Sequence, residues 1–534
     1  MIFGDGLTGL FRLTRLIMRR DRVRIPIWVC SVAALIVISG ASLRSTYDTS
    51  AAIHRYVEVA GDNPALVVFA GPGYGFDDPN IGVVLVNETL LWGAIAAALM
   101  SIFMVVRHTR AEEESERADL VRSSVVGRHA SLSAAILIAL AMNLAVFVPT
   151  VVGLVAEGYA VSGSVALAAS IAGAGIVFAG VTAVAAQFVD SARGALGWAS
   201  AGLGVAFAIR AVGDVGGNWA SWASPLGWAL AVRAYAGERW WTLLLGAALT
   251  VALSAAALVL STRRDLGTGL LPERGGPAEA APWIIGPAGL ALRLQRAAII
   301  GWSLGLLVTG LVFGAVGNDV GRLLEDNPDL TKYLEQFAGV SITDAYFTTA
   351  MQMMALLAAG FALSSILRAR TEEMAGRAEP IIATSTSRTA WWAGQLATTA
   401  AGTVLVTVAG GLGVGIAYGI VNRDIGQVPR LAVASLATLP AVFVLIGVAL
   451  ALYGLLPRWV LVVWGVFAVV VVIGIFAETL RLPQWARNLS PFEQLPDVPA
   501  RGISFLPLLA LSAVAAGLAV VGWRGFCRRD LAAA

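Results

Sequence analysis

Apolar stretches about 20 residues long recur along the whole chain, and few folds can accommodate them. A stretch of that length crosses a hydrocarbon core of ~30 Å as a helix. Lipid offers the backbone no hydrogen bonds, so a span must be a helix or part of a closed barrel. A barrel would show alternating segments of ~10 residues, and the sequence has none. Composition agrees. The 534 residues are 58% hydrophobic and 13% charged, with mean hydropathy +0.78, against about 25% charged in soluble domains. The expected fold is an all-α integral membrane protein.

Length and hydropathy place about twelve spans. Their expected limits are roughly 25–43, 89–106, 131–155, 164–188, 195–213 and 241–260, then 297–316, 347–367, 390–418, 431–455, 459–476 and 504–523. Arg12, Arg15, Arg19, Arg20, Arg22 and Arg24 precede the first span. Arg107, Arg110, Arg117, Arg122 and Arg128 fill the loop after the second. Arg263, Arg264, Arg293 and Arg296 lie between the sixth and seventh, and Arg524, Arg528 and Arg529 follow the last. An even number of spans puts all of these on one side, which the positive-inside rule makes cytoplasmic. The expectation is a multi-pass protein of a bacterial cytoplasmic membrane with both termini inside. No small-residue cleavage site follows the first apolar run, which reads as a retained helix.

A charged segment occurs twice. Arg110-Ala-Glu112-Glu113-Glu-Ser-Glu-Arg117-Ala-Asp119 returns as Arg370-Thr-Glu372-Glu373-Met-Ala-Gly-Arg377-Ala-Glu379, 260 residues later. Three further matches keep nearly the same offset. Asp62-Asn63-Pro64 pairs with Asp326-Asn327-Pro328, Ser224-Pro225 with Ser490-Pro491, and Arg263-Arg264-Asp265-Leu266 with Arg528-Arg529-Asp530-Leu531. Such matches point to a duplicated six-span unit with the same topology in both copies, that is, parallel repeats. The expected division is a first half at 1–266, a Gly/Pro/Ala-rich linker at 267–286 and a second half at 287–534.

Each charged segment reads as a short polar helix, a handle, between its half's second and third spans. Thr109 followed by Glu112 has the capping-box pattern. Glu113 precedes Arg117 by four residues and Glu373 precedes Arg377 by four, the favourable order for an ion pair. A single copy would pass as a solvated connector. Two copies keeping Arg, Glu-Glu, Arg and an acid in register suggest duplicated docking for a twofold partner. Residues 6–20 carry an apolar stripe opposed by arginines, an interfacial amphipathic helix, and Leu290–Arg296 resembles it before span seven.

Several chemistries are missing. A P-loop needs a lysine to reach the β/γ-phosphates, and the only lysine is Lys332. No carboxylate falls near a predicted midplane, where an ion-coupled carrier would place one. Arg210, Asp214 and Glu478 lie toward the outer ends of spans, and Arg210 and Asp214 are spaced to pair. Cys30 and Cys527 offer no disulfide framework. His54, His108 and His129 have no metal-binding spacing, and no catalytic constellation or nucleic-acid partner is indicated.

These features together resemble an ABC-2 type exporter permease. The chain is similar, more narrowly, to the fused two-half permeases of actinobacterial tetronasin or polyketide-antibiotic (multidrug) exporters. The residues carrying the resemblance are Thr109-Arg-Ala-Glu-Glu-Glu, Val126-Gly127-Arg128-His129-Ala130, Ser224-Pro225-Leu226-Gly227-Trp228, Tyr235-Ala-Gly-Glu-Arg-Trp240-Trp241 and Gly289-Leu-Ala-Leu-Arg-Leu-Gln-Arg296. Glu116, where the second copy has Gly376, and Pro380 depart from the pattern and make the handles unequal.

The resemblance implies ATP-driven export with alternating access. The partners would be two copies of a separate ABC ATPase, which would bind ATP and Mg, with no cofactor in this chain. Segments 109–122 and 371–384 would be coupling helices seated in those subunits. The interface residues would be Arg110, Glu112, Glu113, Arg117 and Asp119, and Arg370, Glu372, Glu373, Arg377 and Glu379. The amphipathic pieces would be elbow helices, and 215–238 and 482–502 re-entrant helices closing the outer side. Spans two, five, eight and eleven would line a path for hydrophobic drug, antibiotic or lipid-like substrates. Trp92, Leu99 and Phe103 share one face of span two, Phe207 lies on span five, and Met351, Met354 and Phe361 share one face of span eight. Such surfaces tolerate varied apolar ligands. The alternative is an ion-coupled secondary multidrug transporter.

Overall fold

The computed structural model describes residues 6–61, 64–115, 125–265, 267–271, 281, 284, 286–325, 341–476 and 483–530. Among them every regular element is helical. Eleven helices are long and apolar enough to cross a membrane. The chain divides into two compact units, Met1–Gly275 and Gly276–Ala534.

The first unit opens with α1 (Leu10–Arg20), followed by the spanning α2 (Arg24–Thr46). Two shorter helices, α3 (Ser50–Gly61) and α4 (Pro64–Ala70), lead to α5 (Ile81–Arg107) and the five-residue α6 (Arg110–Glu114). Next come α7 (Ala130–Ala156), α8 (Val161–Phe188) and α9 (Ala192–Gly216). A 3₁₀ turn at Trp219–Ala223, short α10 (Pro225–Leu230) and α11 (Thr242–Ser261) complete the unit. The short pieces fall within the expected re-entrant segment 215–238. Helix α8 is the hub and packs against α5, α7, α9 and α11. Its sequence explains this role: Gly163, Ala166, Ala168, Ala172, Gly175, Ala179 and Ala183 leave little side chain between backbones. Small residues are what lets spanning helices approach, because lipid removes the hydrophobic drive between them.

The second unit contains α12 (Pro287–Glu325), α13 (Ile342–Met374), α14 (Ala378–Ile382), α15 (Arg388–Asn422), α16 (Gln427–Leu436) and α17 (Leu439–Leu455). Then follow α18 (Val462–Phe476), α19 (Gln484–Arg487) and α20 (Phe505–Arg528). The span expected at 459–476 is the 15-residue α18, about 22 Å at 1.5 Å per residue and short of a full crossing. The expected elbow at 290–296 is not a separate helix either. It is the first part of the 39-residue α12, because nothing there breaks the helix. In the first unit Gly9 at φ 82° starts α1, and a turn at Asp21 ends it.

Helices α12 and α15 meet through glycine. A Cβ on Gly413 would lie 2.2 Å from the Leu307 carbonyl oxygen, and one on Gly310 would lie 2.1 Å from that of Gly410. Gly301, on the same α12, has nothing within 4 Å. Gly413→Ala should therefore cost about 1–3 kcal/mol through overpacking, whereas Gly301→Ala should be neutral or slightly stabilising. Unfolding midpoints of the two variants in one detergent check this; equal midpoints would remove the close contact from the account.

Candidate functional site

The first handle is knitted into its own unit. Two residues separate α6 from the end of α5, and its N-cap Thr109 makes no capping bond. The Thr109 hydroxyl instead donates back to the Val105 carbonyl at 2.6 Å, so the capping box expected from sequence is not formed. Arg110 is fully buried. Its guanidinium donates to the Ala186 carbonyl at the end of α8, to Thr268 O at 3.0 Å and to Glu113 at 2.8 Å. Glu113 also receives both terminal nitrogens of Arg264, at 2.7 and 3.0 Å. Glu112 accepts from Arg20 of α1, and Glu114 accepts from the Ala192 amide at 2.7 Å, where α9 starts. That last contact places a carboxylate at the positive end of a helix. Arg117 and Asp119 lie outside the described residues.

The root of this handle also fixes α1. Asp21 is 1% exposed. It accepts from Arg107 Nε at 3.1 Å and lies 2.6 Å from His108 Nε2. Burial works against the Asp21 charge, but the bonds to Arg107 and His108 outweigh it and hold the carboxyl below the usual range.

The second handle differs in shape. Arg370, Glu372 and Glu373 occupy the last turns of the 33-residue α13, not a separate helix. The expected helix 371–384 breaks at Ala375–Arg377. Gly376 adopts φ 69°, and the amides of Gly376 and Arg377 bond the carbonyls of Glu373 and Glu372, each at 3.0 Å. A left-handed glycine closing a helix in this way satisfies its last carbonyls. Helix α14 then restarts with Pro380 in its first turn, where a missing N–H costs nothing.

The expected ion pair between Glu373 and Arg377 is replaced by two others. Arg377 turns to Glu372 at 2.7 Å. Glu373, 3% exposed, receives Arg529 through both nitrogens at 2.6 and 2.7 Å. It also accepts from Tyr453 at 2.7 Å and lies 3.3 Å from Arg370. Burial opposes the Arg529 charge, but Glu373 more than offsets it and raises the guanidinium pKa.

A common device emerges. In each unit the second handle glutamate, Glu113 or Glu373, is held between the handle's own arginine and an arginine just beyond the unit's last helix, Arg264 or Arg529. These partners are the matching members of the repeated Arg-Arg-Asp-Leu segment. That match was visible in sequence, but its contact with the handle was not, because the pair is separated by more than 150 residues. We call the two clusters latches. The side chains left on the surface are different ones. Glu114, Met374, Arg377 and Glu379 are exposed.

At the far end of the first unit Arg210 is fully buried within α9. It donates to Asp214 at 3.0 Å, to Val67 O at 3.2 Å and to Val68 O, and it lies 4.9 Å from the Phe207 ring centre. Arg210 thus caps the C-terminal carbonyls of α4. Glu478 lies outside the described residues.

The substrate-path candidates divide. Trp92 and Phe103 are 48% and 42% exposed on α5, with Leu99 half-buried between them. Trp92 stacks on Phe69, and Phe69 meets Phe207. Phe103 stacks on Trp28 and lines a groove of about 490 Å³ with Ile27, Met104 and Leu196, rimmed by Arg24 and Arg107. Sequence reading missed Phe69 and Trp28 because they lie on other helices. Met351, Met354 and Phe361, by contrast, are no more than 4% exposed. They pack among Phe347, Val406 and Val414 and form part of the core of their unit, not a free surface.

A family model described as the C-terminal domain of the multidrug efflux system permease Rv1217c matches residues 284–527. The chain is also 39% identical over 531 residues to the multidrug efflux system permease protein Rv1217c of Mycobacterium tuberculosis, covering 99% of this chain and 96% of that protein.

Proposed function

Because the chain belongs to the family of multidrug efflux system permeases, we propose that it forms the membrane part of an ATP-driven ABC-2 type exporter for hydrophobic small molecules. Its energy would come from two copies of a separate ATPase subunit, which would hold ATP and Mg. The handle end would face the cytoplasm, with both termini there. Several features support this reading. The sole lysine, Lys332, lies in no P-loop pattern, so the chain has no such nucleotide site of its own. Arginines gather at the handle end in both units, as the contacts of Arg20, Arg107, Arg264, Arg377 and Arg529 illustrate, and arginine excess marks the cytoplasmic side.

The observation that carries the proposal is the pair of matched latches. A solvated connector has no need for a largely enclosed glutamate held between two arginines from distant parts of its unit. A handle that transmits force does. A push on the handle would reach the end of α11 or α20 through the Glu–Arg contact, and the end of α8 through Arg110. The exposed aromatic face of α5 around Trp92 and Phe103 would receive substrate, with the groove at Trp28 as its opening toward the inner leaflet. Broad apolar contact of this kind suits varied ligands.

Affinity purification of the tagged chain from membranes of its native host tests the assignment. The expected result is a co-purifying P-loop protein and ATPase activity in the eluate. Recovery of the chain alone under conditions that keep other permease complexes intact would count against it.

A further inference from the structure

Behind the first handle lies a cavity of about 100 Å³ that the latches leave unfilled, room for several waters or a short stretch of hydrocarbon. One wall is apolar and comes from Leu13, Leu16 and Ile17 of α1 with Leu132 of α7. The lining also carries the charged groups Arg20, Arg128 and Arg264 with Glu112 and Glu113. A site lined by both apolar and ionic side chains fits an amphiphile.

The charges set its sign. Glu112 is taken by Arg20, and Glu113 by both Arg264 and Arg110. Arg128 is exposed and gives one N–H to the Thr262 carbonyl at 2.8 Å; among the described residues it forms no ion pair. Arg110, beside the site and fully buried, keeps Nη2 without a hydrogen-bond partner. Three guanidinium groups, Arg20, Arg128 and Arg264, thus line the cavity against two carboxylates, Glu112 and Glu113, and the surplus is positive.

Position supplies the source. The cavity sits where arginines flank the ends of spans, the level of lipid headgroups. Phe11 and Leu16 of α1 are 82% and 54% exposed, so this helix lays an apolar face outward as an interfacial helix does. In the second unit the equivalent run is not a separate interfacial helix but the first part of α12.

We propose that this cavity binds an anionic phospholipid from the surrounding leaflet. The phosphate lies against Arg128, Arg20 and Arg264, and the first part of an acyl chain runs along Leu13, Leu16, Ile17 and Leu132. An anionic headgroup competes with Glu112 and Glu113 for Arg20 and Arg264, so bound lipid bears on the first handle and not the second. The binding claim does not depend on the ATPase reading.

The test is thermal unfolding of the purified full chain in neutral detergent, titrated with phosphatidylglycerol, with phosphatidylcholine of the same acyl chains, or with inorganic phosphate. The expected result is a saturable upward shift with phosphatidylglycerol, at least about tenfold weaker binding of phosphatidylcholine and no shift with phosphate. Arg128→Gln should weaken phosphatidylglycerol about tenfold, the size of one charge-assisted hydrogen bond, while the lipid-free midpoint stays put. Ser131→Trp, which fills the cavity from α7, should do the same, and Arg128→Lys should retain most binding. Equal shifts from the two lipids, a phosphate shift matching that of phosphatidylglycerol, or binding untouched in both Arg128→Gln and Ser131→Trp would each overturn the proposal.

Discussion

Glu373→Gln should destabilise the purified chain by about 3–5 kcal/mol, because removing one member of a buried ion cluster strands the others. Glu373 is 3% exposed and holds Arg529 bidentately, with Arg370 and the Tyr453 hydroxyl completing the cluster. Glutamine keeps the shape and removes the charge, so the loss reports electrostatics and not packing. The double variant Glu373→Leu/Arg529→Met should recover much of that loss, since apolar replacement of a whole buried pair is often neutral. With the single variants Glu373→Leu and Arg529→Met, a double-mutant cycle on unfolding midpoints then yields a coupling energy well above the 0.5 kcal/mol scatter of independent sites. Glu113→Gln should follow the same pattern with a smaller loss, because the Glu113 side chain is 10% exposed against 2% for Glu373. A loss below about 1 kcal/mol at Glu373, the value of an exposed bridge, would mean the latch is not a structural unit.

The second large effect should appear without any loss of stability. Arg377 is 60% exposed and Glu379 lies on the surface of α14. Arg377→Glu with Glu379→Arg, made together with the matching changes at Arg117 and Asp119, should weaken capture of the ATPase by on the order of 10–100-fold. Exposed charges at a docking surface govern association in this way. The unfolding midpoint should stay within about 0.5 kcal/mol of the parent, as for surface substitutions generally. The two experiments separate roles that one charged segment combines. The enclosed glutamates hold the handle to its unit, and in the proposed reading the exposed charges would meet the partner. If the exposed reversals leave ATPase recovery unchanged while Glu373→Gln unfolds the chain, the handles are structural only.

The structure also shows which features the sequence could reveal. The spans were legible because about 20 apolar residues in lipid have one stable local solution, the helix. Only α18 fell short, at 15 residues. The matched segments of the two halves were legible because charged residues stand out against an apolar background. What escaped were choices made in three dimensions. Thr109 and Glu112 fit a capping box, yet Thr109 bonds Val105 and Glu112 is drawn to Arg20, 92 residues away. Glu373 sits four residues before Arg377, yet it takes the more enclosed Arg529 and leaves Arg377 to Glu372. An exposed pair four residues apart contributes only ~0.3–0.5 kcal/mol, so a bidentate, more enclosed partner wins. Gly376 marked the break in the second handle, a signal available in the sequence and outweighed there by the register of charges. Likewise Met351, Met354 and Phe361 share a helical face as expected, but that face is covered by α12 and α15. Periodicity finds a face and does not say what covers it.

The central claim is that ATP hydrolysed on another subunit drives export through this chain. Inverted membrane vesicles carrying the chain with the proposed ATPase, given a fluorescent hydrophobic dye in the outside medium, test it most directly. The account predicts dye accumulation on addition of Mg-ATP, persistence when an uncoupler collapses the proton gradient, and loss in the Arg377/Glu379 reversal. Accumulation driven by an imposed proton gradient with ATP absent would contradict it and establish an ion-coupled carrier instead.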